Sequence, residues 1–101
     1  MSRFARFSEF YPFYLSEHSD RTCRRLHFVG SSLVLGLLLA VLIGALAPIW
    51  LLALPIVGYG FAWVGHFFFE HNQPATFKHP IYSFIGDWVM YRDMLTGKIR
   101  F

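Results

Sequence analysis

Residues 28–69 read FVGSSLVLGLLLAVLIGALAPIWLLALPIVGYGFAWVGHFFF, and the way this stretch folds decides how the rest of the chain is arranged. It contains no Asp, Glu, Lys or Arg, and Pro48 divides it into two apolar runs, 28–47 and 49–69. At ~1.5 Å per residue, each run as a helix is ~30 Å long, the thickness of the hydrocarbon layer of a bilayer. The break at Ala47-Pro48 is so short that the second run must fold back along the first. The stretch therefore predicts an antiparallel pair of transmembrane helices. Pro55, Gly58 and Gly60 fall inside the second run. Membrane helices tolerate such residues, small ones permit close helix contact, and a kink is expected near Pro55.

Composition leads the same way. The chain has 101 residues, of which 55% are hydrophobic, 20% aromatic and only 15% charged. That length allows one domain, 1–101, and a soluble domain so small cannot hide this much apolar surface. A buried soluble hairpin is the alternative, and the length of both runs argues against it. The first run begins too late for a cleaved signal peptide, and no processing site follows it. A single cysteine, Cys23, excludes an intrachain disulfide.

All nine Lys and Arg residues and all six acids lie outside the hairpin. Because a hairpin returns to the side it left, both flanks share one face of the membrane, which the positive-inside rule assigns to the cytoplasm. The net charge of +3 does not point to nucleic acid, since the basic residues flank spans and form no long run. In the N-terminal flank, Phe4, Phe7, Tyr11, Tyr14 and Leu15 recur at helical spacing, with a break expected near Pro12. In the C-terminal flank, Pro80 to Leu95 reads as a third helix, in the interface or dipping partway in, with Gly97 ending it. Its apolar stripe is Ile81, Phe84, Ile85, Trp88 and Val89; Asp87, Tyr91 and Asp93 point elsewhere. The expected fold is an all-α integral membrane protein: an antiparallel transmembrane helical hairpin with amphipathic N-terminal and C-terminal helices on the cytoplasmic side.

Five histidines, His18, His27, His66, His71 and His79, are scattered along the chain, yet the hairpin brings all of them to one face. Neutral imidazole is the commonest ligand for iron, zinc and copper, and an imidazole at a membrane surface is costly without a partner. The convergence therefore points to a metal site, although any single histidine there is more simply a headgroup or carbonyl contact. On a helix His66 and Glu70 share a face, so Glu70 is a candidate ligand or orienting group. His71 is turned ~140° from His66 and is the weakest candidate. Arg24 and Arg25 read as an ordinary basic flank, the three tryptophans as interface anchors, and Cys23 as packing.

The segments FYPFYLSEHSDRTCRRLHFVG and GHFFFEHNQPATFKHPIYSFIGDWVMYRDMLTG, on either side of the hairpin, resemble a small membrane family long catalogued as a domain of unknown function. The ordered set that carries the resemblance is Tyr14 and His18, His27 and Gly30, Gly65 and His66 with Phe69-Glu70, then Pro74 and His79-Pro80. Fungal members of that family are iron-dependent dioxygenases of 2-hydroxy fatty acids in phytosphingosine breakdown. The resemblance implies Fe(II) held by His18, His27, His66 and His79. Its substrates would be O₂ and a 2-hydroxy fatty acid drawn from the lipid bilayer, shortened by one carbon, with Glu70 or Tyr14 moving protons or orienting a ligand. Cys23 departs from the Asn of many relatives, and this chain is shorter than the fungal enzymes. The rival readings are a histidine-rich di-iron hydroxylase, for which a homo-oligomer would have to pool ligands, a non-enzymatic lipid-binding or assembly protein, and a zinc-dependent hydrolase.

Overall fold

A computed structural model describes residues 4–101. Among them are four α-helices and no strand: α1 Phe7–Ser16, α2 Arg21–Leu42, α3 Ala53–Val64 and α4 Pro80–Leu95. Two helical stretches, Arg21–Leu42 and Pro48–Glu70, are long and apolar enough to cross a membrane.

The longest helix begins seven residues before the apolar run, at a cap that the polar sequence supplies. The Asp20 carboxylate accepts the Cys23 N–H at 3.0 Å, satisfying one of the donors that a helix start leaves open. His27 is thereby carried inside α2 rather than ahead of it. The helix stops at Leu42, earlier than the expected break at Ala47-Pro48. Gly44 adopts φ +82°, and Gly44 N–H and Ala45 N–H bond back to the carbonyls of Val41 and Ala40. This paired closure needs a left-handed residue, which glycine supplies without strain. A 3-10 turn over Pro48–Leu52 then leads into α3. Pro55 is the third residue of α3, directly after that turn, where proline costs less than in a helix interior.

The two apolar helices meet through glycine. A Cβ on Gly30 would stand 2.8 Å from the Phe61 Cβ, so only glycine lets the backbones come this close. Outward from that contact the hairpin is bare hydrocarbon: Leu42 is 73% exposed and Ile56 74%. The buried core lies instead between the flanking helices, where Phe10 and Tyr14 of α1 pack with Ala75, Met90 and Met94.

One expectation for the flanks is corrected here. Helix α1 runs straight through Pro12. Proline removes one backbone hydrogen bond, but the fully buried Phe10 and Tyr14 pin the helix on either side of it. Helix α4 keeps the separation of faces read from its sequence. Its apolar stripe looks outward, with Ile81 73% and Phe84 58% exposed. Its inner face is made of Ser83, Gly86, Met90 and Asp93, all buried. Two acids of α4 are matched across to α1: Tyr11 donates to Asp93 at 2.8 Å, and Tyr14 donates to Asp87. Hydrogen bonding within a dry contact makes these polar groups tolerable there.

Candidate metal centre

His18 follows α1, His27 sits in the second turn of α2, and His66 lies in a π-helical turn, Gly65–Glu70, that continues α3. All three are buried, and one ring nitrogen from each falls within 4.8 Å of the others. Each ring is oriented by a hydrogen bond through Nδ1. His18 Nδ1 lies 2.7 Å from the Tyr14 carbonyl, His27 Nδ1 2.9 Å from the Cys23 carbonyl, and His66 Nδ1 2.7 Å from the Asn72 Oδ1. A carbonyl only accepts, so His18 and His27 must each carry their proton on Nδ1. The Asn72 amide is fixed as well, because its Nδ2 donates to the Glu17 carbonyl at 3.0 Å and so turns Oδ1 toward His66.

The consequence is three bare Nε2 lone pairs in one buried spot. His18 Nε2 and His27 Nε2 face each other at 3.2 Å with no proton between them in the neutral state. Two acceptors pressed together are repulsive, and a cation turns that repulsion into coordination. Adjacent ligands on an ion with ~2.0–2.1 Å bonds to nitrogen stand ~3.0–3.4 Å apart, so the observed spacing fits. Burial, and then the neighbouring His27 and His66, hold His18 well below the ordinary histidine pKa and keep it in the neutral form that binds metal. The donor set thus suits iron, zinc or copper.

The π turn is what aligns His66. Its wider winding lets the N–H groups of both His71 and Asn72 reach the His66 carbonyl, which swings the Asn72 side chain under the ring. Turns of this kind recur at functional sites. Gly65 precedes His66 because α2 leaves no room: a Cβ there would lie 3.0 Å from Cys23 Sγ and 3.1 Å from Cys23 Cα.

The other candidate residues do different work. His79 stands apart from the three, at the start of α4, with its ring 5.4 Å from Phe4, 5.5 Å from Phe10 and 6.0 Å from Phe13. Glu70 is not one of the three clustered ligand residues. It accepts from the Ser19 hydroxyl and the Asp20 N–H, both at 2.7 Å, and so ties the end of the hairpin to the start of α2. Tyr14 holds His18 twice, by its carbonyl and by stacking at 4.1 Å between ring centroids. It is a positioning residue. Arg24 braces the same loop through the carbonyls of His18 and Ser19. His71 is exposed at φ 58°. Asn72 was not among the sequence candidates, and its only sequence signal is its place just past the helix end.

Asp87 links this centre to pH. Burial pushes its carboxyl up to about 7, against the opposing hydrogen bond from Tyr14. A carboxyl raised above its unfolded value binds more protons in the folded state, so its contribution to stability declines as pH rises from about 4 to about 7. The buried neutral His18 slopes the other way, since it loses stability as pH falls below its unfolded pKa. Thermal unfolding of metal-free protein is expected to show the Asp87 slope as a difference between wild type and Asp87→Asn. Identical pH profiles for the two would exclude it.

A small helical protein with two membrane-length apolar helices and a buried cluster of three histidines able to hold a metal ion is the class these observations define. Residues 4–99 match the family model described as 2-hydroxy-palmitic acid dioxygenase Mpo1-like, and the chain belongs to that family. No curated protein and no solved structure matches it.

Proposed function

We propose that the chain is an Fe(II)-dependent dioxygenase of 2-hydroxy fatty acids that works in a bilayer. The observation that carries this reading is the meeting of three deprotonated Nε2 atoms at a buried point, in a chain whose family bears the dioxygenase name. His18, His27 and His66 would hold the ion, and a bound Fe(II) would supply oxygen activation beside the substrate. Three neutral imidazoles leave the ion's charge uncompensated in a dry site. The substrate carboxylate is the natural counter-charge, with the neighbouring hydroxyl as a second donor. Cleavage between C1 and C2 then leaves an acid one carbon shorter, with C1 released as CO₂ and water completing the balance with one O₂. Tyr14 and Asn72 keep the imidazoles aimed and in the correct tautomer.

In the same reading α2 and α3 cross the membrane, and both flanks lie with the histidine centre on the cytoplasmic side. The bare hydrocarbon of the hairpin and the confinement of every charge to the flanks support this. Anaerobically purified protein is expected to carry iron and to consume O₂ when given a long-chain 2-hydroxy acid, releasing the acid one carbon shorter. Iron-loaded protein that leaves 2-hydroxy acids untouched under O₂ would refute the dioxygenase reading.

A further inference from the structure

A groove of about 420 Å³ runs along α2 away from the histidine centre, walled by α2, α3 and α4. On α2 its wall is His27, Ser31, Val34 and Leu38, spaced four, three and four so that they share one helix face. The helical rise places Leu38 ~16 Å from His27, toward the hairpin turn. Leu54 of α3 closes that far end, and Gly58 forms the waist beside Val34. Polarity is graded along the groove. Asp87 bonds to Tyr14, and Tyr14 stacks on His18, so Asp87 belongs to the histidine end together with His27 and Ser31. Among the described residues, Asp87 Oδ2 accepts no hydrogen bond. Beyond this end the walls are hydrocarbon apart from Tyr59 of α3.

The shape and chemistry call for an amphiphile with one tail. The volume is near the small end of the range for small-molecule sites, ~300–1,000 Å³, and suits one acyl chain rather than the two of a phospholipid. His27 is at once a wall of the groove and a member of the histidine centre, so a tail lying here delivers its head to the reacting position. We propose that this groove is the tail site for a single-chain 2-hydroxy acid. The acid's hydroxyl meets Asp87, and the Leu38–Leu54 end sets the longest tail accepted. The assignment rests on the dioxygenase reading for the identity of the head group. A larger cavity of about 590 Å³, lined by Glu17, Lys78 and His79 among others, is touched by none of the three clustered histidines and is not this site.

Trp88 lines the groove and can report its occupancy. In protein carrying Trp50→Phe and Trp63→Phe, held in bromine-free detergent, a 2-hydroxy acid brominated in mid-chain is expected to quench Trp88 saturably. Unlabelled 2-hydroxy acids should compete more tightly with each added methylene until the tail fills the groove. Gly58→Leu should plug the waist, since a Cβ there meets only Val34 Cγ2 at 3.4 Å and the helix keeps its course. It is expected to shift the plateau to shorter acids and weaken long ones at least tenfold, with metal per chain unchanged. Quenching that never saturates, a phospholipid that competes as well as the free acid, or an unchanged plateau in Gly58→Leu would each overturn the assignment. Saturable quenching without O₂ consumption would leave the groove standing and remove the dioxygenase reading instead.

Discussion

His66→Ala is expected to abolish metal binding and, with it, O₂ consumption. The side chain is 2% exposed and supplies one of three converging lone pairs, so no neighbour can replace it. Loss of an outer partner alone typically costs ~10–100-fold in metal affinity. Asn72→Leu, which removes the acceptor for His66 Nδ1–H, should fall in that range, and His66→Ala should exceed it. The metal-free proteins should behave differently: leaving Asn72 unpaired costs only ~1–3 kcal/mol, so the variant stays folded. Metal titration read beside far-ultraviolet circular dichroism separates these outcomes. Full iron occupancy in His66→Ala would refute the three-histidine centre.

Gly65→Ala is expected to damage both stability and metal binding, though it adds a single methyl group. That methyl would press on Cys23 Sγ, Cα and carbonyl oxygen at 3.0, 3.1 and 3.3 Å, and two of those are backbone atoms that cannot swing aside. The same Cys23 carbonyl accepts from His27 Nδ1, and His66 is the next residue, so any separation of the helices moves two ligands apart. Overpacking of this kind costs ~1–3 kcal/mol. Thermal unfolding should show that loss without metal, and metal titration should show about tenfold or greater weakening. A variant with wild-type melting and affinity would mean that α2 and α3 are free to adjust here.

The hairpin was legible because its signal is physical and local: two charge-free runs of membrane length with a proline between them. That topology accounts for the shared depth of His18, His27 and His66, and not for which histidines meet. What escaped prediction depended on contacts between segments. The start of α2 lay in the polar cap Asp20, ahead of the apolar run. The sequence separated the apolar stripe of α4 from Asp87 and Asp93, but not the tyrosines of α1 that those acids meet. In the bilayer reading the outside is oil, and the stripe belongs there while Asp87 and Asp93 seek tyrosines within. His79 was grouped with the other histidines by layer, but a shared depth does not fix lateral position, and aromatic packing from α1 holds it elsewhere. Glu70 was placed by helical spacing, which carries no word of the Ser19 hydroxyl and Asp20 N–H that engage its carboxylate.

The π turn frees the hairpin from a geometric conflict. A continuous α-helix would lock the azimuth of His66 to that of every residue below it, so one rotation would have to suit both the oily exterior and the ion. The surplus residue in the winding lets the shaft and its tip choose their headings separately. In the bilayer reading, substitutions along the outward side of α3 alter its match to the lipid without turning an imidazole away from its target.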